Sequence, residues 1–158
     1  MIFKEEHRDL FSVNTETIEV PYCLAHCISA DFGMFGGIVV EFNRRWDMKN
    51  RLLQKYGSQV EQFRMAEAAV FPEEVHHNGV LTTVFNLVTK PTVADRPTYR
   101  SLKAAISLMR EYMVSLNLTK LAIPLLGCGI DGLEWDKVKD IIQTEFEDTN
   151  IEILVCRR

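Results

Sequence analysis

Residues 21–46 read PYCLAHCISADFGMFGGIVVEFNRRW, and this stretch sets the fold class. Pro21–Ser29 is a short, mostly apolar run, which predicts a buried strand. Asp31–Phe32–Gly33–Met34–Phe35–Gly36–Gly37 is a glycine-rich loop. Ile38, Phe42 and Trp46 then recur at helical spacing, with Glu41, Asn43, Arg44 and Arg45 between them. The order is strand, glycine loop, helix.

The same order returns further along. Leu121–Ala122–Ile123–Pro124 predicts a short strand ended by its proline. Gly127–Cys128–Gly129–Ile130–Asp131–Gly132 is a second glycine loop, and Trp135, Val138, Ile141, Ile142 and Phe146 mark a helix after it. Ile151–Val155 is a last strand. Between the two units, Gly57 ends helical text carrying Leu52, Leu53 and Tyr56. Asn78–Gly79 joins Glu67–Val75 to Val80–Leu87, a hairpin signal. The second arm is rich in β-formers and runs into Thr89–Lys90–Pro91. Pro97–Thr98 opens a helix striped by Leu102, Ala105, Ile106, Met109, Met113 and Leu116. Strands alternating with helices predict a layered α/β fold.

At 158 residues the chain is expected to form one domain, 1–158, with a core that needs no disulfide staple. The four cysteines form no CxxC pair, and Met1–Ile2–Phe3 runs straight into Lys4–Glu5–Glu6, unlike a signal peptide. Reduced thiols inside a cell are expected. The four histidines lack ligand spacing, and His76–His77 reads as a turn flank, so no metal and no cofactor are expected. No apolar run approaches the ~20 residues of a membrane span. A net charge of −4 argues against phosphate-dominated binding to bare nucleic acid.

It does not exclude a nucleotide. Glycine lets the backbone take positive φ and lets a ligand approach closely. A loop ahead of a helix presents unpaired N–H groups at the positive end of the helix dipole. Two such loops can grip a diphosphate from two sides at the C-terminal ends of strands. Neither loop carries the dinucleotide fingerprint or the P-loop pattern. Read on composition alone, Lys90 is a solvated strand end and Asp131 a cap for the helix after it.

Six segments recur in one order: Leu24–Ser29, Met34–Ile38, Leu87–Lys90, Arg96–Tyr99, Pro124–Asp131 and Leu133–Trp135. From about Arg8 to the C-terminus the chain resembles the macrodomains, in particular the terminal ADP-ribose protein glycohydrolase subfamily. The resemblance implies a three-layer α/β/α sandwich with a mixed central sheet. It implies binding of ADP-ribose and its removal, mono- or terminal, from Glu or Asp esters of modified proteins. It also implies deacylation of O-acetyl-ADP-ribose, and leaves open ADP-ribosylated nucleic acid as a substrate. A nuclear or cytoplasmic monomer is expected.

Residue by residue, the family's catalytic pair falls on Lys90 and Asp131. Its adenine end falls on Asp9 and Leu10, with Arg158 near the adenosine side. Ser29, Met34, Phe35, Gly36, Gly37 and Ile38 fall on the contacts to phosphate and distal ribose. Leu125, Leu126, Gly127, Cys128, Gly129 and Ile130 fall on the second phosphate loop. The chain departs from the pattern at several places. Arg8 stands for a glycine, Phe32–Gly33 for a Cys–Arg pair, Phe35 for a glycine, and Leu125 and Gly132 each for an arginine. Phe35 is expected to narrow the site, and the departures make a non-catalytic ADP-ribose reader the alternative. The implied chemistry has a neutral Lys90 amine attack C1″ of the distal ribose, with Asp131 moving protons. Cys128 lacks a His–Asp partner pattern and reads as a packed thiol. His26 reads as a satisfied core histidine, and Trp46 and Trp135 as helix packing.

Overall fold

The computed structural model describes residues 1–158, the side chains of residues 64 and 65 excepted. The apolar run at 21–29 becomes β2 (Cys23–Ser29), near the middle of a six-stranded sheet. Its companions are β1 (Ile2–His7), β3 (Ala69–His77), β4 (Val80–Lys90), β5 (Lys120–Ile123) and β6 (Glu152–Arg157). The spatial order is β1-β6-β5-β2-β4-β3, with every pairing parallel except the β3–β4 hairpin. The helices are α1 (Val39–Trp46), α2 (Met48–Tyr56), α3 (Val60–Met65), α4 (Tyr99–Ser115) and α5 (Trp135–Phe146).

Successive strand side chains point to opposite faces, and the sequence loads both. Ala25, Phe85, Leu87, Ile123 and Ile153 pack with Leu102, Ile106 and Met109 of α4 and Val138, Ile142 and Phe146 of α5. Leu24, Ile28, Val84, Val88, Ala122 and Leu154 pack with Phe42 of α1 and Met48 and Leu52 of α2. The result is the expected three-layer α/β/α sandwich on a mixed sheet.

Several expectations shift. β1 was not expected, because Lys4–Glu5–Glu6 reads as a charged start; it forms by parallel pairing with β6 at the sheet edge, where one face stays wet. The first arm of the hairpin runs Ala69–His77, two residues later at each end than the sequence suggests, and Asn78 and Gly79 turn it at φ 51 and 80. Leu116 does not join the α4 stripe; it follows the last helical residue and is 58% exposed.

His26 is only half satisfied. It is fully buried in β2, stacked on Phe42 at 3.9 Å between ring centroids. Asn86 donates to the Phe71 carbonyl, which turns its Oδ1 toward His26 Nε2 at 2.5 Å and assigns the ring proton to Nε2. Nδ1 has no partner. Protonation there would create a buried cation and a donor with nothing to accept it. Burial accordingly lowers the ring's pKa from 6.5 to about 4. Burial also lowers that of His77. The folded state holds His26 neutral, so its contribution is complete above about 6.5 and is lost as pH falls toward about 4. Urea unfolding at about pH 5.5 should therefore give roughly 1.4 kcal/mol less stability than at about pH 7.5 from this residue. The His26→Gln variant, lacking the titration, should show a smaller difference; an equal difference would remove His26 as the cause.

Candidate functional site

Because β1, β6, β5, β2 and β4 are all parallel, their C-terminal ends share one edge of the sheet. A cleft of about 820 Å³ runs along that edge. Each residue named from the sequence lines it. Asp9 and Leu10 follow β1, and Arg158 follows β6. Leu125, Leu126, Gly127, Cys128, Gly129, Ile130 and Asp131 follow β5. Ser29 ends β2, and Met34, Phe35, Gly36, Gly37 and Ile38 lead from it into α1. Lys90 ends β4. From β1 to β4 is four strand spacings, roughly 19 Å, so the cleft suits an extended ligand.

The loop from β2 to α1 is fixed by Asp31. Its Oδ1 accepts from Ser29 Oγ at 2.5 Å and from the Gly33 N–H at 3.3 Å, and its Oδ2 accepts from the Val93 N–H at 3.4 Å. Those bonds tie this loop to the one after β4. Phe32 and Met34 sit in the left-handed region at φ 56 and 53, a cost borne where a loop must hold a special shape. Phe32 is buried beneath the loop against Phe71. No side chain caps the start of α1 at Ile38; Val40 and Glu41 donate to the Gly37 and Ile38 carbonyls, and the Val39 N–H, with no such partner among the described residues, remains available to an anion.

The second loop works differently from expectation. α5 begins at Trp135, behind the loop, and the Glu134 N–H is taken by Tyr99 Oη at 3.0 Å. Only the first loop leads directly into a helix start at the cleft. Within the second loop, Cys128, Gly132 and Leu133 spend their N–H groups on Leu125, Gly129 and Gly127 carbonyls. Among the described residues, the N–H groups of Gly129 and Ile130 have no such partner. The two loops touch: a side-chain carbon at Gly36 would lie 2.7 Å from Ile130 Cδ1.

At the β4 end, Lys90 Nζ donates to Asp131 Oδ1 at 2.7 Å, and the two side chains are 13% and 15% exposed. Lys90 is thus no solvated strand end. Nor is Asp131 a helix cap, since Glu134 holds that position. At the other end Asp9 Oδ1 accepts from the Phe11 N–H, and Arg158 Nη1 lies 3.3 Å from Asp9 Oδ2. Sequence reasoning missed Glu41 and Arg45, which line the cleft one helical turn apart on α1. Arg45 lies over the Phe11 ring at 4.4 Å. Their signal was position: a helix that starts in the cleft turns one face toward it.

Burial pushes the Cys128 thiol up to about 11 and the Cys27 thiol up to about 12. Both stay protonated near neutral pH and are poor nucleophiles. Phe35 lines the cleft at its mouth and is 76% exposed, with Lys49 Nζ 5.0 Å from its ring centroid. Gly132 has φ +77, and Arg96 Nη1 from the neighbouring loop reaches within 3.5 Å of where a side-chain carbon would stand. Trp46 and Trp135 are half-buried and donate to the His76 carbonyl and to Glu5 Oε1, outside the cleft lining.

The chain is 33% identical over 132 residues to human (Homo sapiens) ADP-ribose glycohydrolase OARD1, spanning 84% of this chain and 79% of the relative. No protein-family model matches it. Among solved structures, the macrodomain of Thermus aquaticus DarG superposes with a TM-score of 0.78 at 19% identity, covering 99% of both chains. Thermosipho africanus DarTG in complex with ADP-ribose superposes at 0.76 and 16% identity, covering 99% of this chain and 42% of that one.

The second loop's glycines are not equivalent. Gly127 holds φ +71 with Leu133 Cδ1 3.0 Å from any added carbon, whereas Gly129 has open space. Gly127→Ala should cost about 1–2 kcal/mol in urea unfolding. Gly129→Ala should stay within about 0.5 kcal/mol. Equal costs would contradict this loop geometry.

Proposed function

This chain belongs to the macrodomain family, and from that premise we propose that it is an ADP-ribose hydrolase acting on carboxylate-modified proteins. One contact supports the reading above the others: the Lys90–Asp131 pair, set at the end of a cleft whose middle is walled by two glycine loops. The cleft offers an ordered set of contacts to ADP-ribose. Asp9, Leu10 and Arg158 take the adenosine end. The start of α1 and the N–H groups of Gly129 and Ile130 take the diphosphate. The distal ribose then reaches Lys90 and Asp131.

The substrate is an ester joining a Glu or Asp carboxylate to C1″ of that ribose. Asp131 accepts a proton from the Lys90 ammonium, leaving an amine lone pair. Nζ attacks C1″, and the C1″–O bond to the carboxylate breaks, its electron pair leaving with the carboxylate. Asp131 passes its proton to the departing carboxylate, takes the extra proton from the attached nitrogen, and delivers it to the ring oxygen as the ribose ring opens to a Schiff base. Water then adds at C1″ with Asp131 taking its proton. The C–N bond breaks, the proton returns to Nζ, and ADP-ribose leaves. Removal of mono- or terminal ADP-ribose, and deacylation of O-acetyl-ADP-ribose, both follow from the same nucleophile. The expected working state is an intracellular monomer.

Lys90→Ala should abolish release from a Glu-modified peptide, a loss of at least about a hundredfold, while calorimetry still detects ADP-ribose binding. Asp131→Asn should slow release and accumulate an ADP-ribose adduct on the Lys90 peptide, read by mass spectrometry. Unimpaired release by Lys90→Ala would sink the lysine mechanism. Binding without release by the unmutated protein would make it a reader.

A further inference from the structure

We propose that Phe35, Val93 and Ile130 form an apolar subsite for the leaving group, selecting ADP-ribose esters whose acyl part carries an aliphatic or aromatic body. The proposal rests on the hydrolase reading and names the substrate class of that same site.

Three large apolar side chains stand in water at the mouth of the cleft. Phe35 is 76% exposed, Ile130 71% and Val93 39%, and all three line the cleft. They come from three separate loops, those following β2, β4 and β5. The glycines between them let them close up. A side-chain carbon at Gly33 would lie 2.1 Å from Val93 Cγ1 and 3.3 Å from Phe35 Cε2, and one at Gly36 would lie 2.7 Å from Ile130 Cδ1. Contiguous exposed apolar surface of this kind marks a contact site, whereas single exposed side chains need no explanation.

Their place relative to the chemistry gives the surface its occupant. Val93 stands three residues beyond Lys90, and Ile130 immediately precedes Asp131. The bond to be cut lies at this end of the cleft. Whatever is joined to the far ribose beyond that bond must run out past these side chains. None of the three is charged, and the paired Lys90 and Asp131 offer no uncompensated charge beside them. The surface is also held in shape. Asp31 accepts from Ser29, Gly33 and Val93, which locks the Phe35 loop to the Val93 loop. Lys49 Nζ lies 5.0 Å from the Phe35 ring centroid, which restrains the ring from outside.

An aliphatic acyl group settling here removes apolar surface from water on both sides, worth up to about fourfold in affinity per fully buried methylene. The group could arrive as a free acyl ester of ADP-ribose or as a modified Glu followed by a bulky apolar residue. Two substrate series distinguish these sources. The first compares acetyl, butanoyl and hexanoyl esters of ADP-ribose. The second compares Glu-ADP-ribosylated peptides with Leu or Ser after the modified residue. In at least one series the unmutated protein should favour the apolar member about tenfold or more in kcat/KM. That ratio should fall toward one in Phe35→Ser and in Ile130→Ser, and be largely retained in Phe35→Leu. The ratio is the readout, whatever the absolute rate of each variant.

Dissociation constants of the same series on Lys90→Ala protein, where turnover is blocked, separate the two readings. Affinity that rises with acyl size without turnover by the unmutated protein sinks the hydrolase and keeps the subsite. Turnover with flat ratios in both series, or ratios unchanged by Phe35→Ser and Ile130→Ser, overturns the subsite.

Discussion

A parallel sheet cannot avoid placing its strand ends together. Here β1, β6, β5, β2 and β4 run the same way, so four connections and Arg158, which follows β6, leave from one edge. Each starts where its strand's hydrogen bonding stops, and each delivers a different group: Asp9, Arg158, the 125–131 loop, the 30–38 loop and Lys90. None of these groups is adjacent in sequence to more than one of the others. Alignment of the strands alone assembles them. The buried faces that enforce the alignment, Leu24 and Ile28 on one side and Ala25 and Leu87 on the other, are therefore as much a condition of the site as the residues that line it.

The edge also carries unfavourable local choices, while Asn14, Asp47, Asn78 and Asn117 hold positive φ elsewhere. Phe32, Met34, Gly37 and Gly127 hold positive φ, and Phe35 and Ile130 stand in water. Strain of this kind persists where neighbours over-determine it. Asp31 does so for the first loop, spending both carboxylate oxygens on three donors. The Lys90–Asp131 pair belongs to the same group. A largely buried ion pair gains little net stability once desolvation is counted. The pair lies in the cleft lining, at the C-terminal end of β4.

Much of this was legible in the sequence because periodicity and turn chemistry are local. Pro21–Ser29 followed by glycines and a 3.6-period stripe needed no tertiary information. The Asn78–Gly79 turn with apolar arms was equally plain. The family pattern placed Lys90 and Asp131, which geometry then joined at 2.7 Å. What was missed depends on partners distant in sequence. β1 carries Lys4, Glu5 and Glu6 and becomes a strand only because β6 offers a free edge. Leu116 fits the helical stripe but falls past the end of α4, where the period no longer applies. Phe35 lines the cleft yet stays 76% exposed; a residue type says nothing about direction in a loop whose neighbours sit at positive φ.

The helix-cap reading of Asp131 failed for a reason that bears on the chemistry. A carboxylate just ahead of a helix ordinarily accepts from the helix's first N–H groups, and an oxygen so occupied is less available to a lysine. Here the chain inserts Gly132 and Leu133 before the helix start. Leu133 donates back to the Gly127 carbonyl, which closes the loop on itself. The Glu134 N–H is satisfied from another element, by the hydroxyl of Tyr99 at the start of α4. α4 and α5 pack in one core, so this bond is held by the same burial that stabilises the sheet. Tyr99 thus holds the turn into α5, whose first N–H groups have no side-chain cap. Asp131 is left facing Lys90, and the sequence Thr98–Tyr99 acts at the site without lining it.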